Sequence, residues 1–265
     1  MTPFHALHAA DAPGGLLILP NAWDGGSAAL MRAKGAKAVA TTSAGVAWSL
    51  GWPDGDALPV ERVVQVARDV VRAARGLPVS IDVEGGYSND PAAVAALATR
   101  LVEAGAAGIN IEDGGGAPET LAARIAAIRA TVGPDLFINA RCDVWLGGIG
   151  APETRVAEAT RRGALYAAAG ADGLFTPGLT DLGEIAAMVA ATPLPLNLLA
   201  FPGLADARTL AGLGVRRLSA GSGIIGAVWC RAAALTDGFL ADGRSESLLD
   251  GAMSWGEINA LMPPA

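Results

Sequence analysis

The stretch E-A-G-A-A-G-I-N-I-E-D, Glu103 to Asp113, holds one complete helix-to-strand junction. An Ala- and Leu-rich segment of helical period ends at Gly105, a residue that adopts the left-handed cap without strain. Gly108 to Glu112 then reads as a short buried strand ending on a carboxylate. The same junction recurs as A-K-G-A at Ala33 to Ala36 and as A-A-G-A at Ala168 to Ala171. Working outward from these marks gives eight candidate strands: Leu16 to Pro20, Ala38 to Thr42, Val79 to Glu84, Gly108 to Glu112, Leu136 to Arg141, Gly173 to Thr176, Leu194 to Leu199 and Val215 to Ser219. Longer helical stretches separate them and no linker intervenes, so the chain reads as repeated βα units. Regular spacing, with no G-x-G-x-x-G after the first strand, predicts a closed (β/α)8 barrel of the TIM type rather than an open doubly wound sheet.

One domain, 1–265, accommodates this pattern, since such barrels occupy about 250 residues. The segment 221–265 continues past the eighth strand as a helical extension bearing Trp229, Phe239 and Trp255. Left bare, it exposes apolar surface, so the expectation is that it packs on another subunit. Hydrophobic residues form 52% of the chain and charged ones 17%, enough apolar material for a large core. The net charge of −7 disfavours nucleic acid and anionic membrane surfaces as partners. An anionic substrate would therefore need a local metal ion or arginine. Cys142 and Cys230 form neither a disulfide framework nor a metal-ligand spacing. No secretory signal and no uninterrupted apolar run of about 18 residues is evident, which predicts a soluble cytoplasmic protein.

Barrel sites lie at the C-terminal ends of the strands, and carboxylates concentrate there. The third candidate strand ends Ser80-Ile81-Asp82-Val83-Glu84 and the fourth Asn110-Ile111-Glu112. Period-two alternation pairs Asp82 with Glu84 and Asn110 with Glu112. Each acid alone can cap the helix that follows, but several at one mouth repel one another unless a cation neutralises them. All-oxygen donors suit Mg2+ or Mn2+ better than zinc, and the only histidines, His5 and His8, precede the first strand. The fifth strand places Asn139 and Arg141 on one face; Arg141 can grip a substrate carboxylate through two hydrogen bonds or act as a partner for Glu112. Asn197, near the end of the seventh strand, is either a neutral donor to substrate or a satisfied core amide. After the second strand, Ser43-Ala44-Gly45 offers small residues whose N–H groups can approach an anion.

Six motifs in order, P-N-A-W-D (Pro20 to Asp24, with Trp23), T-S-A-G (Thr42 to Gly45), L-G-W-P-D (Leu50 to Asp54), D-V-E-G-G-Y (Asp82 to Tyr87), G-I-N-I-E-D (Gly108 to Asp113) and I-N-A-R (Ile138 to Arg141), resemble the phosphoenolpyruvate mutase and isocitrate lyase superfamily. The resemblance implies a barrel that exchanges its last helix between subunits in homodimers or homotetramers, and a magnesium site. It implies Asp82 as the direct metal ligand, with Asp54, Glu84 and Glu112 holding the metal's waters. Ser43, Ala44 and Gly45 would cradle a substrate oxygen, with Trp23 and Asn197 among the substrate contacts and Asp54, Glu112 and Arg141 in the catalytic set. The departure is the loop after the fourth strand: family lyases carry a lysine pair, cysteine and glycine there, and mutases lysine, asparagine and serine, whereas this chain has Gly114-Gly115-Gly116-Ala117-Pro118-Glu119-Thr120. Such a loop is expected to be flexible and to offer a minimal lid or none at all.

What the shared residues support is stabilisation of the enolate of a small 2-oxo or 2-hydroxy dicarboxylate by a carbon–carbon lyase or decarboxylase. The alternatives are a carbon–phosphorus bond hydrolase or mutase, and a 2-oxo acid-binding protein without turnover.

Overall fold

The computed structural model describes residues 2–9, 11–12 and 15–262. Nine parallel strands follow the chain as β1 (Leu17–Leu19), β2 (Asn21–Ala22), β3 (Val39–Thr41), β4 (Val79–Asp82), β5 (Gly108–Glu112), β6 (Phe137–Arg141), β7 (Gly173–Phe175), β8 (Leu196–Leu199) and β9 (Arg217–Ser219). Their spatial order is β1-β9-β8-β7-β6-β5-β4-β3-β2. β1 and β2 are two halves of one run broken at Pro20, whose ring nitrogen has no hydrogen to give a ladder. The first half pairs with β9 and the second with β3, so the expected eight-stranded (β/α)8 ring closes through this split strand.

The helices are α1 (Pro3–Ala6), α2 (Gly25–Ala33), α3 (Ser43–Ser49), α4 (Val60–Ala74), α5 (Pro91–Glu103), α6 (Pro118–Val132), α7 (Arg155–Ala169), α8 (Leu182–Ala191), α9 (Ala207–Leu213), α10 (Gly223–Asp242), α11 (Glu246–Leu249) and α12 (Trp255–Leu261). Local chemistry sets their starts: Asp90, Asp181 and Asp206 each accept a first-turn backbone N–H, at 3.0, 2.9 and 2.8 Å. The three recurrent glycine junctions take positive φ, at Gly35, Gly105 and Gly170. α3 was not foreseen, because its small residues read as a loop.

Strand alternation sorts the interior. Ile109, Ile111, Ile138 and Ala140 belong to the large cluster shared with Leu101, Ile125 and Tyr166 of the helices. Phe4, Leu17, Leu19, Ala38, Ala40 and Phe137 form a second, smaller cluster. There α1 plugs the N-terminal end of the barrel: a Cβ at Gly108 would lie 2.7 Å from the Phe4 ring, and His8 stacks on Phe137 with ring centroids 4.1 Å apart. With that end sealed by apolar side chains, the buried polar residues Asn21, Ser80, Asn110, Asn139, Asn197, Arg217 and Ser219 occupy the rest of the strand-borne interior.

The 221–265 extension behaves differently. α10 buries only Ile225, while Trp229 is 51% and Trp255 82% exposed. α12 returns to the barrel, where Arg32 and Arg75 donate to the carbonyls of Leu261 and Met262 at 2.9 and 3.0 Å. By length and composition α10 suffices to cross a membrane, with a mean hydropathy of 1.4; Arg231 and Asp237 interrupt its apolar run.

Candidate active site

A cavity of about 310 Å³ opens among the ends of these strands, lined by the polar residues Ser43, Asp54, Asp82, Asn110, Arg141, Arg217 and Ser219 and by Ala44, Phe175, Leu199 and Phe201. Asp82 sits at the end of β4 and is fixed from both sides. The Ser43 N–H donates to its Oδ2 at 3.0 Å and the Asn110 Nδ2 to its Oδ1 at 3.1 Å. Asn139 in turn donates to Asn110 at 3.0 Å, so β6, β5 and β4 are linked by amides in a row. Because Ser43 gives its N–H to Asp82, the first turn of α3 leaves the N–H groups of Ala44 and Gly45 without intrahelical partners.

Parallel register places Glu112 beside Arg141, and the two form an ion pair. Arg141 also grips Asp143 with two hydrogen bonds, Nε to Oδ1 at 2.7 Å and Nη2 to Oδ2 at 3.0 Å. Burial pushes Glu112 up to about 8, with Arg141 opposing the rise and Asp82, Asp143 and Glu84 adding to it. Burial likewise raises Asp54, aided by Asp82, as well as Glu84 and Asp143. These carboxyls are thus held toward their protonated forms, a bias that a bound cation would reverse.

Glu84 departs from the alternation expected of it. The strand stops at Asp82, and Glu84 takes a left-handed φ of 51°. Its carboxylate accepts from Gly55 N at 2.9 Å, from Asp56 N and from the Tyr87 hydroxyl at 2.8 Å. It thus ties down the loop that presents Asp54. Trp23 and Gly45 are not brought to the cavity. Trp23 lies in an apolar groove with Ile224, Val228 and Met262, and Gly45 packs beneath it, where a Cβ would stand 2.7 Å from Thr42 Cγ2 and 3.1 Å from Trp23 Cβ. Asn197 is buried behind the wall and accepts from Ser219 at 3.2 Å.

The triple-glycine segment is a pinned turn rather than a flexible lid. Only residues 113–117 separate β5 from α6. Asp113 Oδ2 accepts from Arg162 at 2.8 Å and from the Tyr166 hydroxyl at 2.6 Å, while its Oδ1 accepts from the N–H groups of Gly115 and Asp143, both at 3.1 Å. Arg162 also donates to Gly116 O at 3.0 Å. Sequence reasoning missed this clamp, and it missed Asp143, although R-x-D at Arg141 to Asp143 extends the alternation by one step.

Among the described residues no three His, Cys, Asp or Glu side chains are gathered closely enough to enclose an ion directly. The donor set is nevertheless hard oxygen from several carboxyls around one arginine, which fits a small divalent cation that keeps most of its waters and takes one carboxylate directly.

A parallel barrel with acids and an arginine around one cavity at its C-terminal rim defines the class of barrel proteins that handle small anions. The chain belongs to the phosphoenolpyruvate mutase family within the phosphoenolpyruvate mutase and isocitrate lyase superfamily: the sequence profile of phosphoenolpyruvate phosphomutase matches residues 4–240. An uncharacterized Mycobacterium tuberculosis protein is 40% identical over 224 residues, covering 83% of this chain and 81% of that protein. An oxaloacetate decarboxylase of Ectopseudomonas mendocina is 34% identical over 182 residues, 63% of this chain and 60% of its own length. The crystal structure of phosphonopyruvate hydrolase in complex with oxalate and Mg2+ superposes with a TM-score of 0.83 at 25% identity, covering 98% of this chain and 95% of that one.

Proposed function

We propose that the chain is a Mg2+-dependent enzyme, with Mn2+ as a substitute ion, that acts on a small 2-oxo or 2-hydroxy dicarboxylate through an enolate, as a carbon–carbon lyase or decarboxylase. The observation that carries this reading is Asp82, held by Ser43 and Asn110 at the mouth of a cavity that Asp54 and Arg141 also line. Asp82 would hold the metal directly, with Asp54, Glu84 and Glu112 on its waters. When bound, the ion supplies a Lewis acid for adjacent carboxylate and oxo oxygens.

The chain's own residues do the rest. The N–H group of Ala44, which lines the cavity, would face a carboxylate oxygen, and the Ser43 hydroxyl stands beside Asp54. Arg141 commits two of its five N–H groups to Asp143 and pairs by charge with Glu112, and its Nη1 edge would serve the developing enolate oxygen. In oxaloacetate, the electron pair of the bond to the departing carboxylate enters the enolate as CO2 leaves; a proton from water then gives pyruvate. No acid on the turn 113–117 is required, which agrees with its lack of any cysteine or lysine. Identity to an oxaloacetate decarboxylase supports the same reaction. The likeness to phosphonopyruvate hydrolase favours carbon–phosphorus cleavage as the second reading.

Pyruvate release from oxaloacetate, 2-methylisocitrate, citramalate and phosphonopyruvate, each with and without Mg2+, separates the readings. Mg2+-dependent release from a dicarboxylate supports the first and release from phosphonopyruvate alone the second. Binding without release would make the chain a 2-oxo acid-binding protein.

A further inference from the structure

Arg217 begins β9 and is 2% exposed, yet it lines the inner part of the cavity. Arg129, Arg141 and Arg162 each have a carboxylate partner. Arg217 pairs with no carboxylate among the described residues; its Nε donates to Ser219 Oγ at 3.0 Å and its Nη1 is buried without a partner. Ser219 passes its own hydrogen to Asn197 Oδ1 at 3.2 Å, which leaves the buried Asn197 Nδ2 free as well. Two further buried hydroxyls, Ser80 Oγ and Thr176 Oγ1, also lack partners. Burial pulls Arg217 down to about 9, with Asp82 opposing, so the guanidinium is charged at neutral pH.

A buried, unpaired cation costs several kcal/mol, and an apolar side chain of similar volume avoids that cost. A folding role therefore does not explain an arginine here, whereas an anion arriving from the cavity does. Asp82, Asn110 and Arg141 come from β4, β5 and β6, and Arg217 with Ser219 from β9 on the far side of the strand order, so the two sets form different walls of the cavity. A 2-oxo acid bound by its carboxylate and oxo oxygens at the first wall would have its third carbon free to reach the second.

We propose that Arg217, held by Ser219, is a second anion-binding point that receives the charged group, carboxylate or phosphonate, on the substrate's third carbon. The inference rests on the 2-oxo acid reading of the site and deepens it by requiring a dianionic substrate.

Calorimetric titration of wild type and Arg217→Met with Mg2+ present tests it, using three probes. Oxalate has no third carbon, 3,3-difluorooxaloacetate bears a carboxylate there and phosphonopyruvate a phosphonate. The expected result is a loss of roughly 10- to 100-fold in affinity for whichever of the two longer probes wild type binds. Oxalate should stay within about threefold, and the melting temperature should be equal or higher. The longer probe that binds more tightly identifies the group. An equal loss for oxalate, unchanged affinities, or a lower melting temperature with unchanged affinities would overturn the proposal. Wild type that binds oxalate but neither longer probe sinks this inference alone; wild type that binds none of the three sinks the 2-oxo acid reading with it.

Discussion

At the rim, Arg141 is both anchored and available: Asp143 takes two of its N–H groups, Glu112 pairs with its charge, and it also lines the cavity. Arg141→Lys therefore bears on function and on stability together. With the paired bonds to Asp143 visible, the variant is expected to lose both. Lysine cannot reproduce a planar fork, and losing one such bond costs about 1.5 to 3 kcal/mol. Thermal melts and oxalate titration of the same variant check this; an unchanged melting temperature would mean that the Asp143 contact contributes nothing. Asp82, Asn110, Glu112 and Arg141 were legible because each stands at an inward register position of a strand. Asp143 was not, because alternation is read within strands and the strand ends at Arg141. For Glu84 alternation is no guide for the same reason, since the strand ends at Asp82 and Glu84 takes a left-handed φ. Arg217 drew no notice, as nothing local distinguishes it from Arg216 beside it.

Among the elements, the strands were read to within two residues at each end because parallel strands buried on both faces are runs of β-branched and apolar residues. Short α3 escaped because Thr42-Ser43-Ala44-Gly45 lacks any helical apolar stripe; packing against Trp23 and Ile225 holds it instead. Gly45→Ala should cost about 1 to 3 kcal/mol through overpacking, measurable by denaturant unfolding; no loss would show that Thr42 moves aside freely. The plug formed by α1 predicts a pH effect. Burial, with Arg217 adding to it, lowers His8 from 6.5 to about 3, so the folded state keeps it neutral. Stability from this group is complete above 6.5 and is lost as pH falls toward 3, by about 2 kcal/mol at pH 5. The gap in unfolding free energy between wild type and His8→Gln should therefore shift by about that amount between pH 7 and pH 5. A gap that does not change with pH would show that His8 is protonated where it stands.

For the molecule as a whole, the barrel accounts for most of the buried surface and leaves α10 nearly bare. The expectation that residues 221–265 pack on another copy stands on Trp229 and Trp255, both more than half exposed. Light scattering at micromolar concentration should give a dimer or tetramer, and a mass near 26.5 kDa would remove the idea. Closure of the ring was legible from eight evenly spaced strands, but its means, the split at Pro20, depends on hydrogen-bond partners far away in the chain. The central claim is that acids at the barrel mouth hold a divalent cation that binds a 2-oxo acid. Calorimetric titration of oxalate with and without Mg2+, on wild type and on Asp82→Ala checked for folding by circular dichroism, tests it most directly. Mg2+-dependent binding that disappears in the folded variant is the predicted result, and equal binding without Mg2+ or in Asp82→Ala would contradict it.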